Sequence, residues 1–254
     1  MNLLPVEIKV NIEGDVAAAL SALGGTQDAM ATRLIWFAEE AKGVAEGRLP
    51  LLNSGGIIRF RNGAASDDLT VKLRPCTVEQ LIGRFSAAFK EEPLTYKIEE
   101  DWSSVGRVLA ASAVRTCPPG TLSDAVEPGA DPTAPIDATQ KRFLSACGPA
   151  VPLDGLVALG PVLSTKADDV RLDDLEVDLE TWSAVGLEFL EVSLRVKPKD
   201  EDDAEKLTGR AERKQRKLED AVRERGVTLS ENSENKTRRT LTALAQAGRT
   251  SLRR

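Results

Sequence analysis

Two groups of side chains in this 254-residue chain have types and spacing that could do chemistry. The first is cationic. Arg59-Phe60-Arg61 and Lys72-Leu73-Arg74 flank a turn signal, Asn62-Gly63 with Ala64 to Asp68 following, so the two segments read as a hairpin. Alternate residues of a strand share a face, so R-x-R and K-x-R set four cations side by side. Like charges so placed repel unless an anion relieves them. The second group is acidic: Glu176, Asp178 and Glu180 alternate with Leu175, Val177 and Leu179, and Glu99 and Asp101 follow the same rule. An ordinary sheet with one packed and one solvated face also alternates. A solvated face usually mixes signs, however, whereas here the charges sort by strand.

Composition narrows the chemistry. The chain has no histidine, which removes Ser-His-Asp and Cys-His catalysis and every His-ligated metal. Ser112 and Ser193 therefore have no partner that would make them nucleophiles. No G-x-x-x-x-G-K-[ST] or G-x-G-x-x-G occurs, against P-loop and dinucleotide-binding folds. A metal would be held by oxygens, which favours Mg²⁺, Mn²⁺ or Ca²⁺ over Zn²⁺. Cys76, Cys117 and Cys147 lie far apart and read as reduced thiols of a cytoplasmic protein. No apolar run is long enough for a membrane span, and the first residues lack the pattern of a signal peptide.

The elements that must carry these groups are short strands. Leu4 to Ile12, Gly56 to Asn62, Leu69 to Arg74, Leu94 to Asp101, Arg107 to Arg115, Leu175 to Trp182 and Phe189 to Lys197 alternate as strands do. Helices are expected over Asp15 to Leu23, Val78 to Phe89 and Ala138 to Cys147, and a mobile loop over the proline-rich Thr116 to Ile136. The composition changes at residue 199, which divides the chain into a β-rich domain, 1–198, and a helical basic extension, 199–254. The extension carries 15 basic against 11 acidic residues, leaving 19 against 29 for the rest. Its stripes, Leu207-Ala211-Leu218-Val222 and Leu241-Leu244-Ala245, predict a helical hairpin. Such a hairpin needs cover from the acidic body or from a second copy, as in a homodimer. The alternative is a solvated basic arm. Nucleic acid is not the expected partner of a body so acidic.

The order of these motifs resembles the CYTH superfamily, which includes class IV adenylyl cyclases, thiamine triphosphatases and inorganic triphosphatases. Glu7-Ile8-Lys9 is similar to the second half of its opening E-x-E-x-K. Arg59-Phe60-Arg61 matches its R-x-R strand, and Leu69-Thr70-Val71-Lys72-Leu73-Arg74-Pro75 resembles actinobacterial members. Tyr96-Lys97-Ile98-Glu99, Ala111-Ser112, Thr139-Gln140-Lys141-Arg142-Phe143 and Leu190-Glu191-Val192-Ser193 follow in the family's order. The resemblance covers residues 4 to 197. Pro5 stands where the family has its first Glu, and Ser193 where triphosphatases often have a paired acid.

The resemblance implies an α+β fold: an antiparallel eight-stranded tunnel β-barrel with flanking helices, followed here by the helical hairpin. It implies a metal-dependent triphosphate or polyphosphate hydrolase. The ligand would be tripolyphosphate, ATP or thiamine triphosphate. Lys9, Arg59, Arg61, Lys72 and Arg74 would clamp the phosphates, with Lys97, Arg115 and Arg195 as clamp members or counter-ions. Glu7, Lys9, Glu99 and Asp101 would form the catalytic set. Glu176, Asp178, Glu180 and Glu191, together with Glu99 and Asp101, would hold Mg²⁺ or Mn²⁺ and orient water. Two other readings stay open: an adenylyl cyclase on the same fold, and a binder of polyphosphate or nucleotide without turnover, to which Pro5 and Ser193 point.

Overall fold

The computed structural model describes residues 3–26, 30–104, 106–149, 152–232 and 234–251. Ten strands form one hydrogen-bonded sheet: β1 (Val6–Ile12), β2 (Ala31–Glu40), β3 (Gly56–Gly63), β4 (Asp67–Cys76), β5 (Phe89–Glu91), β6 (Leu94–Ser103), β7 (Gly106–Cys117), β8 (Leu156–Leu172), β9 (Leu175–Ala184) and β10 (Leu187–Val196). Helices are α1 (Val16–Ala22), α2 (Ala41–Glu46), α3 (Pro50–Asn53), α4 (Ala138–Cys147), α5 (Ala204–Glu224) and α6 (Lys236–Ser251). The strand order is β1-β10-β9-β8-β2-β3-β4-β7-β6-β5, and β1 also pairs with β6, so the order closes as in a barrel.

The α+β barrel class is therefore present, with ten strands where eight were expected. The pairing is not wholly antiparallel either, because β1 runs parallel to β6. Of the added strands, β2 carries apolar or buried side chains on both faces, including Ile35, Phe37, Ala38 and Glu39, so it lacks the alternation that marks a half-solvated strand. In β8 the Gly160-Pro161 pair reads as a break in sequence. Gly160 instead permits close approach: a Cβ there would lie 2.6 Å from the Trp36 ring and 2.8 Å from the Ile35 carbonyl.

The segment expected as a helix over Val78 to Phe89 is two 3-10 turns, Val78–Gln80 and Gly83–Ser86, leading into β5. Its apolar spacing is helical, but Gly83 takes a left-handed φ of 59° and breaks the run. Only Leu81 and Phe85 are buried, while Val78 and Ile82 face solvent. The Thr116 to Ile136 stretch is a succession of turns around a short 3-10 helix, anchored by buried Leu122, Ala125 and Ile136.

The chain divides into two compact units. The first holds residues 1–32, 99–108 and 164–236. Its core joins Val6, Ile8 and Val10 of β1 to Leu190, Val192 and Leu194 of β10, with Leu20 of α1 and Leu207, Ala211, Leu218 and Val222 of α5 packed on them. The stripe of α5 is thus buried on the sheet. The second holds residues 33–98, 109–163 and 237–254. There Ile58, Phe60, Leu69 and Val71 form the apolar face of β3 and β4. Gln140 of α4 donates to the carbonyls of Leu69 (2.9 Å) and Ala113 (3.1 Å), tying the helix to that face. Phe143 lies 5.1 Å from Phe85 and 5.2 Å from Tyr96 between ring centroids. The buried carboxylate of Glu39 caps α3 through the amides of Leu51 and Leu52. Leu241 and Leu244 of α6 are buried as well. Among the described residues, no helix is long and apolar enough to cross a membrane.

Candidate functional site

In the second unit, strand register sets the cations on one face. Arg59 pairs with Thr70, Ile57 with Lys72 and Arg61 with Asp68 across β3–β4, while Phe37 and Ile35 of β2 stand opposite Arg59 and Arg61. Lys72 in turn opposes Ser112 of β7. Arg59, Arg61, Lys72 and Arg74 are all half-buried, and Phe37, Thr70 and Ser112 between them are buried. This is not an open, solvated sheet face. Asp68 Oδ2 lies 3.3 Å from Arg33 and 3.6 Å from Arg61. Arg59 Nη2 reaches Thr70 Oγ1 at 3.4 Å. Of the other cations considered, Lys97 is exposed, and Arg115 lies 3.8 Å from Asp137. Arg33 escaped the sequence reading because β2 did.

The first unit carries the acids. The parallel β1–β6 register places Glu7 beside Asp101, and β1–β10 places Glu7 opposite Arg195 and Lys9 opposite Ser193. Glu7, Glu99 and Asp101 offer carboxylate oxygens that all lie within 4.8 Å of one another. Asp101 is fully buried and Glu99 nearly so. Two cations are threaded between them. Lys9 Nζ lies 2.6 Å from Glu7 and 2.9 Å from Asp101, and Arg195 lies 2.8 Å from Glu99 and 3.7 Å from Glu7. Such pairs must be well satisfied, because each buried charge left alone costs several kcal/mol.

A divalent cation is what the family resemblance leads one to expect here. The donor set suits a hard one: three carboxylates from two strands, all oxygen, close enough to share an ion. The acids on β9 and β10 are arranged differently. Glu176 is exposed. Asp178 accepts from Lys166 at 2.7 Å. Burial works against the charged form of Lys166, but the hydrogen bonds it donates to Asp168 and Asp178 carry its pKa above the ordinary lysine value. Glu180 and Glu191 oppose each other in register and both bind Lys236. Lys166 and Lys236 were not singled out in sequence, the first lying on β8 and the second in the basic extension expected to form a helical hairpin.

No family model matches the chain, and no curated protein matches it in sequence. Solved structures do. A candidate adenylyl cyclase from Hippeastrum, described as having a dominant triphosphatase activity, superposes with a TM-score of 0.56 at 16% identity, covering 96% of each chain. A candidate adenylate cyclase from Bacillus halodurans gives a TM-score of 0.57 at 12% identity, covering 93% of this chain and 98% of that one. At such identities the likeness is one of fold. The chain has the fold of these two proteins.

Proposed function

We propose that the chain binds a triphosphate through Arg59, Arg61, Lys72 and Arg74 and hydrolyses it with a divalent ion, Mg²⁺ or Mn²⁺, held by Glu7, Glu99 and Asp101. The observation that carries the reading is the convergence of those three carboxylates around Lys9 and Arg195. Arginine suits the clamp because its planar fork meets two phosphate oxygens at once, and half-burial strengthens each contact. At ~4 Å a pair of unit charges is worth about 1 kcal/mol in water and about 4 kcal/mol at an effective dielectric near 20. A bound divalent ion would supply neutralisation of phosphoryl oxygens and orientation of the attacking water. Lys9 and Arg195 hold the carboxylates in place through ion pairs. The Hippeastrum protein's triphosphatase description agrees with this reading.

A second reading, a binder that does not turn its ligand over, is favoured by Pro5. That residue immediately precedes β1, and its carbonyl accepts from Glu100 N at 2.9 Å, so position 5 brings no acid to the set. Incubation with tripolyphosphate, ATP or thiamine triphosphate plus Mg²⁺ or Mn²⁺ separates the readings. Released phosphate that disappears in Glu7→Gln and Asp101→Asn supports hydrolysis. Cyclic nucleotide and pyrophosphate from ATP point to a cyclase. Tight binding with no product in any assay leaves the inert binder.

A further inference from the structure

The carboxylate pair on β9 and β10 holds a cation that the chain itself supplies. Lys236, the first residue of α6, places its ammonium 2.6 Å from Glu180 Oε2 and 2.9 Å from Glu191 Oε1. The same nitrogen lies 4.4 Å from the centroid of the Trp182 ring, and Ser164 Oγ donates to Glu180 Oε1 at 2.9 Å. Lys236 is only 7% exposed. Both features run against habit: lysine ends normally reach water, and a cation at a helix N-terminus opposes the helix dipole. The two carboxylates and the ring face account for its position.

Both carboxylate oxygens lie within 3 Å of one point, which is where a small divalent ion would have to sit. We propose that Lys236 is an internal substitute for a divalent cation at Glu180 and Glu191, and thereby limits the charged face of the first unit to one metal ion, at Glu7, Glu99 and Asp101. The inference rests on the metal reading of that second set. An ammonium carries three donors and a single charge, so it satisfies two carboxylates while repelling any ion that would join it. Removing it leaves two facing acids with the donor chemistry and the charge for Mg²⁺ or Mn²⁺.

The test is Mn²⁺ binding to the full chain, followed by calorimetry and by the electron paramagnetic resonance of free Mn²⁺. One ion is expected in the unaltered protein and in Lys236→Arg, and two in Lys236→Met. One ion in both the unaltered protein and Lys236→Met overturns the inference and leaves the metal reading standing. None in the unaltered protein but one in Lys236→Met keeps the inference and removes the metal reading. Two in the unaltered protein, or none in either, overturns it. Because Lys236→Met leaves two buried carboxylates facing each other, its melting temperature is the second readout. Mn²⁺ should lift that temperature more than it lifts that of the unaltered protein. The extra lift should vanish when Glu180→Gln and Glu191→Gln are added. An equal lift in the unaltered protein and Lys236→Met means that the lysine is an ordinary buried ion pair.

Discussion

The two units handle like charge in opposite ways. In the first, among the described residues, the carboxylates Glu7, Glu99, Asp101, Asp178, Glu180 and Glu191 are interleaved with Lys9, Arg195, Lys166 and Lys236. In the second, strand register sets Arg33, Arg59, Arg61 and Lys72 on one face, and Asp68 pairs with Arg33 and Arg61. The first arrangement is nearly self-neutralised. It keeps its shape without a ligand, and an incoming cation must compete with ammonium and guanidinium groups. The second gathers cations at partial burial, where an incoming anion gains a charge-assisted contact from each. Within one sheet, side-chain pairing separates a set built for holding from a set built for capture.

The comparison breaks first if the sets do not act separately. Arg59→Ala combined with Lys72→Ala removes two charge-assisted contacts, each worth about 1.5–3 kcal/mol, so tripolyphosphate affinity should fall at least ~100-fold. Mn²⁺ affinity in the same calorimeter should stay within about twofold; a parallel loss would mean one inseparable set. Next in size is stability. Asp101 is fully buried, and Asp101→Ala deprives the Lys9 ammonium of one carboxylate while Glu7 stays 2.6 Å away, which should cost about 1.5–3 kcal/mol in urea unfolding. Lys72→Ala, which removes repulsion, should cost less than about 1 kcal/mol. Equal costs would erase the distinction between holding and capture.

Smaller effects sharpen it. Gln140→Ala deletes two buried hydrogen bonds behind the cationic hairpin. It should lower stability by about 2 kcal/mol while changing tripolyphosphate affinity less than the double variant does. The smallest change expected is from Asp68→Asn. Its partners Arg33 and Arg61 are 39% and 23% exposed at the side chain, so solvent screens the pairs. Freeing them should tighten tripolyphosphate binding only a few-fold, about 0.5 kcal/mol. A weakened affinity would show instead that Asp68 positions the arginines.

How much of this was legible depended on what each strand packs against. β1, β3, β4, β9 and β10 announce themselves because one face is apolar and the other charged, and alternation with the turn points to R-x-R and K-x-R sharing a sheet face, although the register offsets them, with Arg59 opposite Thr70 and Lys72 opposite Ile57. β2 and β8 stayed hidden because their faces differ too little or a Gly-Pro pair interrupts them, and Arg33 and Lys166 stayed hidden with them. No spacing rule brings Glu7 next to Asp101. Their meeting depends on a parallel pairing between distant strands, so the acidic set was reachable only through the family resemblance. Lys236 was the least legible. A basic residue in a charged tail looks like a solvated one until the helix is seen to start against two carboxylates.

The place of Lys236 in the chain also bears on the order of events during synthesis. Glu180 precedes it by 56 residues, so at roughly 5–20 residues per second the ribosome delivers the ammonium about 3–11 s after the acid. Once Glu191 has also been made, β9 and β10 carry two facing carboxylates and no lysine until Lys236 arrives, and those carboxylates must remain hydrated. Closure of the first unit around them therefore waits on the arrival of a single amine.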